Sequence, residues 1–367
     1  MNETAYLVLS DGSVFEGLSF GSEKSTYGEV VFNTSMTGYQ EILTDPSYSG
    51  QIVIPTYPII GNYGINEKSN ESNKIQVSGF VVRQYCESPS HPTSTSNIND
   101  FLASQNIPGI HEIDTRAIVR KLRSSGVMMG AIAIGISPDE ALEQIQSSQA
   151  YNLTNFVQRV STKKQYSWPK KEETHDNEKS LLNILVSDYG VKYNILRILE
   201  SKGCRVTVFP YDTTAEELLN LNPDGIMLSP GPGDPEMLDN TTKIAKELVG
   251  KVPIMGICLG NQILAKAFGA KTYKLHFGHR GGNHPVKDLE TGRIYITAQN
   301  HGYAVDAESL PPEIAITHIN MNDGTVAGIK HRSLPAMSIQ YHSEASPGPQ
   351  DNEYIFDQFI EMVKEFK

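Results

Sequence analysis

The segment Val252–Pro253–Ile254–Met255–Gly256–Ile257–Cys258–Leu259–Gly260–Asn261–Gln262 constrains this chain more than any other. An apolar run short enough for a buried strand meets, without a linker, the helical pattern LGNQILAKAFG. A strand that becomes a helix with no loop between them must turn sharply at one residue, and the turn tolerates only small neighbours. Gly256 and Gly260 supply them on either side of Cys258. Such a turn lifts the sulfur above the sheet edge, at a helix N-terminus whose dipole and free N–H groups favour a thiolate. Any single cysteine can instead be a space-filler. G-x-C-x-G at a strand-to-helix junction weighs the choice toward a nucleophile.

The surrounding pattern fits an α/β domain. LLNILVSD (181–188), RVTVFP (205–210), DGIMLS (224–229) and VPIMGI (252–257) read as strands. Helical stretches separate them: KYNILRILESKG, the region around TTAEELLNL, and an acid-and-lysine segment near 239–249. Strand and helix in alternation predict a mostly parallel sheet flanked by helices, with sites at the carboxyl edge of its strands. Apolar runs near 293–298, 314–319, 325–330 and 335–340 extend that sheet or add an antiparallel part. The first half differs, with short strands (YLVLSDG, GEVVFNTS, GQIVIPTY, KIQVSGFVVRQY) and the helices IDTRAIVRKLRSSG and SPDEALEQIQ. The expected organisation is a smaller mixed α/β domain over 1–150, a linker over 151–180 and the sheet domain over 181–367. The polar stretch STKKQYSWPKKEETHDNEKS (161–180) argues for the linker, and 367 residues exceed one ordinary core.

A formal net charge of -11 opposes a nucleic-acid partner held through phosphates. No apolar run approaches the ~20 residues of a membrane helix, and MNETAYLVLSDGS lacks the pattern of a signal peptide. The three cysteines, Cys86, Cys204 and Cys258, are scattered and odd in number, which fits a reducing cytoplasm rather than a disulfide framework.

A thiolate nucleophile needs a base, and the base needs an orienting group. PAMSIQYHSEASPGP places His342 and Glu344 at the end of an apolar run, two residues apart and so on one side of an extended segment. Cys258, His342 and Glu344 then form a set for acyl transfer through a thioester. In SPGPGDP (229–235), Gly231 and Gly233 allow a substrate close to the backbone, and the loop N–H groups, with that of Leu259, can form an oxyanion hole. Neither G-x-x-x-x-G-K-[ST] nor a strand-linked G-x-G-x-x-G occurs. His276, His279 and His284 lie in a glycine-rich segment with no carboxylate or cysteine companion, so loop or interface roles outweigh a metal site. The basic helix TRAIVRKLR reads as a solvated face, with an interface between chains as the sharper alternative.

Together these pieces resemble a class I (triad) glutamine amidotransferase. KLHFGHRGGNHPV (274–286), TAQNHGYAVD (297–306) and EASPGP (344–349) look like the carbamoyl-phosphate synthase small-chain family. So do GEVVFNTSMTGYQEILTDPSYSGQIV (28–53), TYPIIGNYG (56–64) and IDTRAIVRKLR (113–123), the most discriminating blocks, since other amidotransferases lack this preceding domain. The resemblance implies hydrolysis of glutamine to glutamate and ammonia by Cys258, His342 and Glu344. It implies a glutamine site of Ser47, Gly231, Gly233, Leu259, Gln262, Asn300, Gly302 and Tyr303, the last group from a loop. It implies no cofactor on this chain and a large-chain partner that uses bicarbonate, ATP and Mg2+ to make carbamoyl phosphate for arginine or pyrimidine synthesis. Three residues depart from the family pattern: Asn261 in place of histidine, Tyr341 in place of glycine and Ser343 in place of proline. Tyr341 adds bulk and Ser343 removes a rigid spacer, so both bear on the geometry of His342. The rival readings are another thiol hydrolase of this fold, such as a γ-glutamyl hydrolase or a peptidase, and a binding module that only stabilises the large chain.

Overall fold

The computed structural model describes residues 3–169 and 181–367. The chain divides into two compact units, the first made of residues up to Thr154 together with His276–Gly282, the second of Asn155–Leu275 and Asn283–Lys367.

In the first unit the strands are β1 (Thr4–Leu9), β2 (Val14–Gly21), β3 (Thr26–Asn33), β4 (Gln51–Pro55), β5 (Ile59–Ile60), β6 (Gly79–Val81), β7 (Gln84–Tyr85), β8 (Pro108–His111) and β9 (Met128–Ile134). Seven of them close a barrel in the order β1-β2-β8-β6-β4-β3-β9, while β5 and β7 pair separately. The two-residue period of a strand builds it. Leu7, Leu9, Val30, Phe32, Ile52, Ile54 and Ile132 share one core, joined by Ile118 and Leu122 of the helix Thr115–Ser125. Val31, Val53 and Phe80, of opposite parity, pack under Ile42 and Leu43 of the helix Tyr39–Thr44. Val8, Ala131 and Ala133 likewise pack under Ala141 and Ile145 of the helix Pro138–Ser147.

KIQVSGFVVRQY, expected as one strand, is broken. The Ile75 amide donates to Gln105 Oε1 and the Gln76 amide to the Leu43 carbonyl, so that stretch finds its hydrogen bonds outside a ladder. The glycine-rich HFGHRGG, expected as a loop, lies inside a long strand, where Gly278 (φ 73°) and Gly281 (φ 150°) bend the chain without ending it.

In the second unit the strands are β10 (Tyr166–Trp168), β11 (Leu182–Asp188), β12 (Cys204–Pro210), β13 (Gly225–Leu228), β14 (Ile254–Ile257), β15 (Thr272–Asp288, whose middle His276–Gly282 belongs to the first unit), β16 (Ile294–Val305), β17 (Ile314–Asn320), β18 (Val326–His331) and β19 (Ala336–Ile339). Among the described residues they form one sheet in the order β10-β12-β11-β13-β14-β19-β18-β17-β15-β16. The run from β12 to β19 is parallel, and β17, β18 and β10 attach antiparallel. Leu185, Ile226 and Ile254 face the helices Asp239–Leu248 and Leu259–Ala267 on one side. Ile184, Val206 and Met255 face Tyr193–Ser201 and Tyr354–Phe366 on the other.

The stretch read as a linker departs from that expectation where it is described. Tyr166–Trp168 joins the sheet edge because its aromatic rings pack on the core and Trp168 Nε1 donates to Glu200 Oε2 at 3.0 Å. Residues 170–180 of that expected linker lie outside the described residues.

Candidate active site

Strands β13, β14 and β19 are parallel neighbours, so their carboxyl ends meet at one edge of the sheet. From those ends come the loop 229–235, Cys258, and the segment Tyr341–Glu344. The edge strand β16 adds its own residues through an antiparallel bridge, in which the His342 amide donates to the Ala298 carbonyl at 2.8 Å.

The turn at Cys258 is as sharp as its sequence requires. Cys258 holds φ 54° and ψ −103°, a strained conformation for a residue with a Cβ. Its amide donates to the Ile339 carbonyl at 2.8 Å, which ties the strained residue to the strand that leads to His342. A Cβ on Gly260 would lie 2.1 Å from the Leu228 carbonyl oxygen, and one on Gly256 would lie 2.5 Å from that of Gly260. Both positions exclude every side chain. The buried Cys258 Sγ is 3.6 Å from the Asn300 carbonyl oxygen.

His342 Nδ1 and Glu344 Oε1 are 2.5 Å apart, both fully enclosed. The contact arises differently from the extended i, i+2 geometry expected. The chain turns after His342, whose carbonyl accepts from the Ala345 amide at 3.1 Å. Among the described residues the other ring nitrogen, Nε2, has no nitrogen or oxygen partner, and the Cys258 sulfur acts on the ring through charge and a side-chain hydrogen bond. Burial pulls the basicity of His342 down, but the Glu344 carboxylate and the Cys258 sulfur outweigh it and raise it. Burial pushes the Glu344 carboxyl up, while Lys192 and His342 hold it below the usual range.

Two residues in this arrangement carried no signal in the sequence pattern of the site. Lys192 Nζ lies 3.1 Å from Glu344 Oε1 and donates to the Ala345 carbonyl at 2.5 Å. Asn194 Nδ2 donates to the Glu344 carbonyl at 2.6 Å. Asp188, at the end of β11, accepts from the amides of Gly190 and Val191 at 3.0 and 2.8 Å and so shapes the bend that delivers Lys192. A lysine inside the apolar run DYGVKYNIL was the available clue, because a buried ammonium needs an anion.

The residues expected around a ligand occupy several elements. Gly231 packs so closely that a Cβ would meet the Tyr189 carbonyl oxygen at 2.3 Å, and Gly233 takes φ 97°. Leu259 opens the helix after Cys258, and the first N–H groups of a helix lack intrahelical partners. Gln262 Nε2 donates to the Tyr303 carbonyl at 2.9 Å. Asn300, Gly302 and Tyr303 stand on strand β16 rather than on the loop expected for them, since the pattern AQNHGYAV continues the ladder. Ser47 belongs to the first unit, where its amide donates to Asp45 Oδ1 at 2.8 Å and its buried hydroxyl has no partner among the described residues.

The three departures are accommodated inside the second unit. Tyr341 is fully buried in the main core, with its ring edge-on to His318 at 5.7 Å between centroids. Ser343 is buried as well. Asn261 donates to Gln340 Oε1 at 3.1 Å and accepts from the Ser338 hydroxyl at 2.9 Å. Among the described residues no group of three His, Cys, Asp or Glu is disposed to hold a metal ion.

A thiol beside an imidazole, itself anchored by a carboxylate, can pass a proton to the ring and attack an acyl carbon. Residues 185–362 match the family model for glutamine amidotransferase class-I, and residues 7–132 match that for the carbamoyl-phosphate synthase small chain, CPSase domain. A carbamoyl phosphate synthase small chain of Akkermansia muciniphila is 50% identical over 98% of this chain and 97% of its own. One of Aquifex aeolicus is 49% identical over 99% of this chain and 100% of its own. Among solved structures, a glutamine amidotransferase of Thermotoga maritima aligns at 20% identity and a TM-score of 0.37, over 51% of this chain and 86% of its own.

Proposed function

The chain belongs to the carbamoyl phosphate synthase small-chain family, and from that membership we propose that it hydrolyses glutamine, with Cys258 as nucleophile, His342 as proton shuttle and Glu344 as the group that orients the imidazole. Cys258 Sγ attacks the side-chain amide carbon, and the oxyanion is met by N–H groups of Leu259 and the loop 229–235. His342 then gives its proton to the departing nitrogen, which leaves as ammonia with the thioester formed. Water, deprotonated by His342, cleaves the thioester and releases glutamate. The raised basicity of His342 suits the first half of this cycle, because the ring holds the proton the leaving group needs. Gly231, Gly233, Leu259, Gln262, Asn300, Gly302 and Tyr303 line the glutamine pocket in this reading. The ammonia passes to a large chain that carries ATP and Mg2+ and makes carbamoyl phosphate from bicarbonate, in the cytoplasm, for arginine or pyrimidine synthesis.

The observation that carries the reading is the convergence of thiol, imidazole and carboxylate from adjacent strand ends, with Nδ1 of His342 2.5 Å from Glu344. The experiment is Cys258→Ala in the chain purified with its large partner. Glutamine-dependent carbamoyl phosphate synthesis is expected to disappear while synthesis from added ammonia persists. Equal loss of both activities would count against separate sites.

A further inference from the structure

A chain of buried side-chain hydrogen bonds runs behind the candidate site, and its direction can be read from one end. The Tyr303 carbonyl can only accept, so the group of Gln262 that faces it at 2.9 Å is the amide nitrogen. The same nitrogen lies 3.2 Å from Gln340, which must therefore present its oxygen, Oε1. That oxygen also accepts from Asn261 Nδ2 at 3.1 Å, which turns Asn261 Oδ1 toward the Ser338 hydroxyl at 2.9 Å. All four residues are buried. Among the described residues Gln340 Nε2 has no partner, and its acceptor oxygen is the part that is used. The backbone of Gln340 is itself fixed, its amide donating to the Ala327 carbonyl at 2.9 Å.

Both amide protons of Gln262 are thereby committed, one to Tyr303 and one to Gln340. Only its oxygen remains for a ligand. We infer that Gln340 is a positioning residue that fixes the orientation of Gln262, so that Gln262 meets the substrate glutamine with a hydrogen-bond acceptor aimed at an N–H group of that substrate. The inference rests on the proposal that Gln262 lines the glutamine pocket. It also gives Asn261 a role: an amide there both donates to Gln340 and accepts from Ser338, which keeps the chain of donors pointing one way.

The test is steady-state release of glutamate from glutamine by the full-length chain. Gln340→Met removes the acceptor and is expected to raise KM for glutamine about tenfold while kcat changes by less than about threefold. Gln340→Glu keeps the acceptor oxygen and is expected to bring KM back to within about threefold of the parent. Should Gln340→Met fail to fold, Ser338→Ala decides, with an expected rise in KM of about threefold for loss of the far end of the chain. An unchanged KM in a folded Gln340→Met, a fall confined to kcat, or a Gln340→Glu variant as impaired as Gln340→Met would overturn the inference alone. A parent chain that releases no glutamate would overturn the functional reading and this inference with it.

Discussion

Glu344 is fully buried, and its charge is tolerated because Lys192 sits 3.1 Å away and the His342 ring 2.5 Å away. Lys192→Met would leave that carboxylate without its ammonium partner, at a cost of roughly 3–5 kcal/mol, readable as a lower denaturant midpoint. Glu344→Gln should lower kcat for glutamine by about three orders of magnitude, because the imidazole loses its orienting acceptor. The pH dependence of its stability follows from the two shifts. Glu344, held down, stabilises the fold above its ordinary value of 4.5, and that contribution is lost as pH falls through the lowered one. His342, held up, stabilises it below its ordinary value of 6.5, and that contribution is lost as pH rises through the raised one. The gap in unfolding free energy between the parent and Glu344→Gln is therefore expected to be widest between 4.5 and 6.5. A gap that grows steadily toward alkaline pH would contradict this assignment of charges.

At the scale of elements, the junction between β14 and the helix Leu259–Ala267 admits no Cβ on either side of Cys258. Gly260→Ala is expected to cost on the order of 3 kcal/mol or more, because the obstacle is the backbone carbonyl of Leu228 and not a side chain that can move. Thermal melting of the variant would show it. This junction was fully legible in the sequence, since short-range steric rules dictate it. The parallel strands were legible for a similar reason: continuous apolar runs bounded by turns announce burial on both faces. The barrel of the first unit was not. β8 and β9 carry glycines and alanines (PGIH, MMGAIAI), and only their partners reveal their ladders. His342 and Glu344 were legible as a pair, whereas Lys192 was not, because its partner lies more than 150 positions away in the chain.

At the scale of the molecule, the first unit takes part of its structure from a distant stretch of sequence. The Arg280 carbonyl accepts from the Thr34 amide at 3.1 Å, and the His276 carbonyl accepts from the Val127 amide at 3.1 Å. Between them, Phe277 packs against the barrel core, its ring 5.9 Å from that of Phe32. Phe277→Ala is expected to cost about 1–2 kcal/mol. Hydrogen exchange should quicken at the Thr34 and Val127 amides while those of β11 keep their protection.

That borrowed segment means the polypeptide passes from one unit to the other three times, after Thr154, before His276 and after Gly282. No single break in the gene can yield two self-sufficient halves, because a cut after Thr154 strands the piece that finishes the barrel. Exchange of the second unit for that of another amidotransferase, in the laboratory or over evolutionary time, would have to keep this chain's own His276–Gly282 within the incoming sequence. Heredity is thus expected to treat these two units as one indivisible module, whatever the independence of their cores.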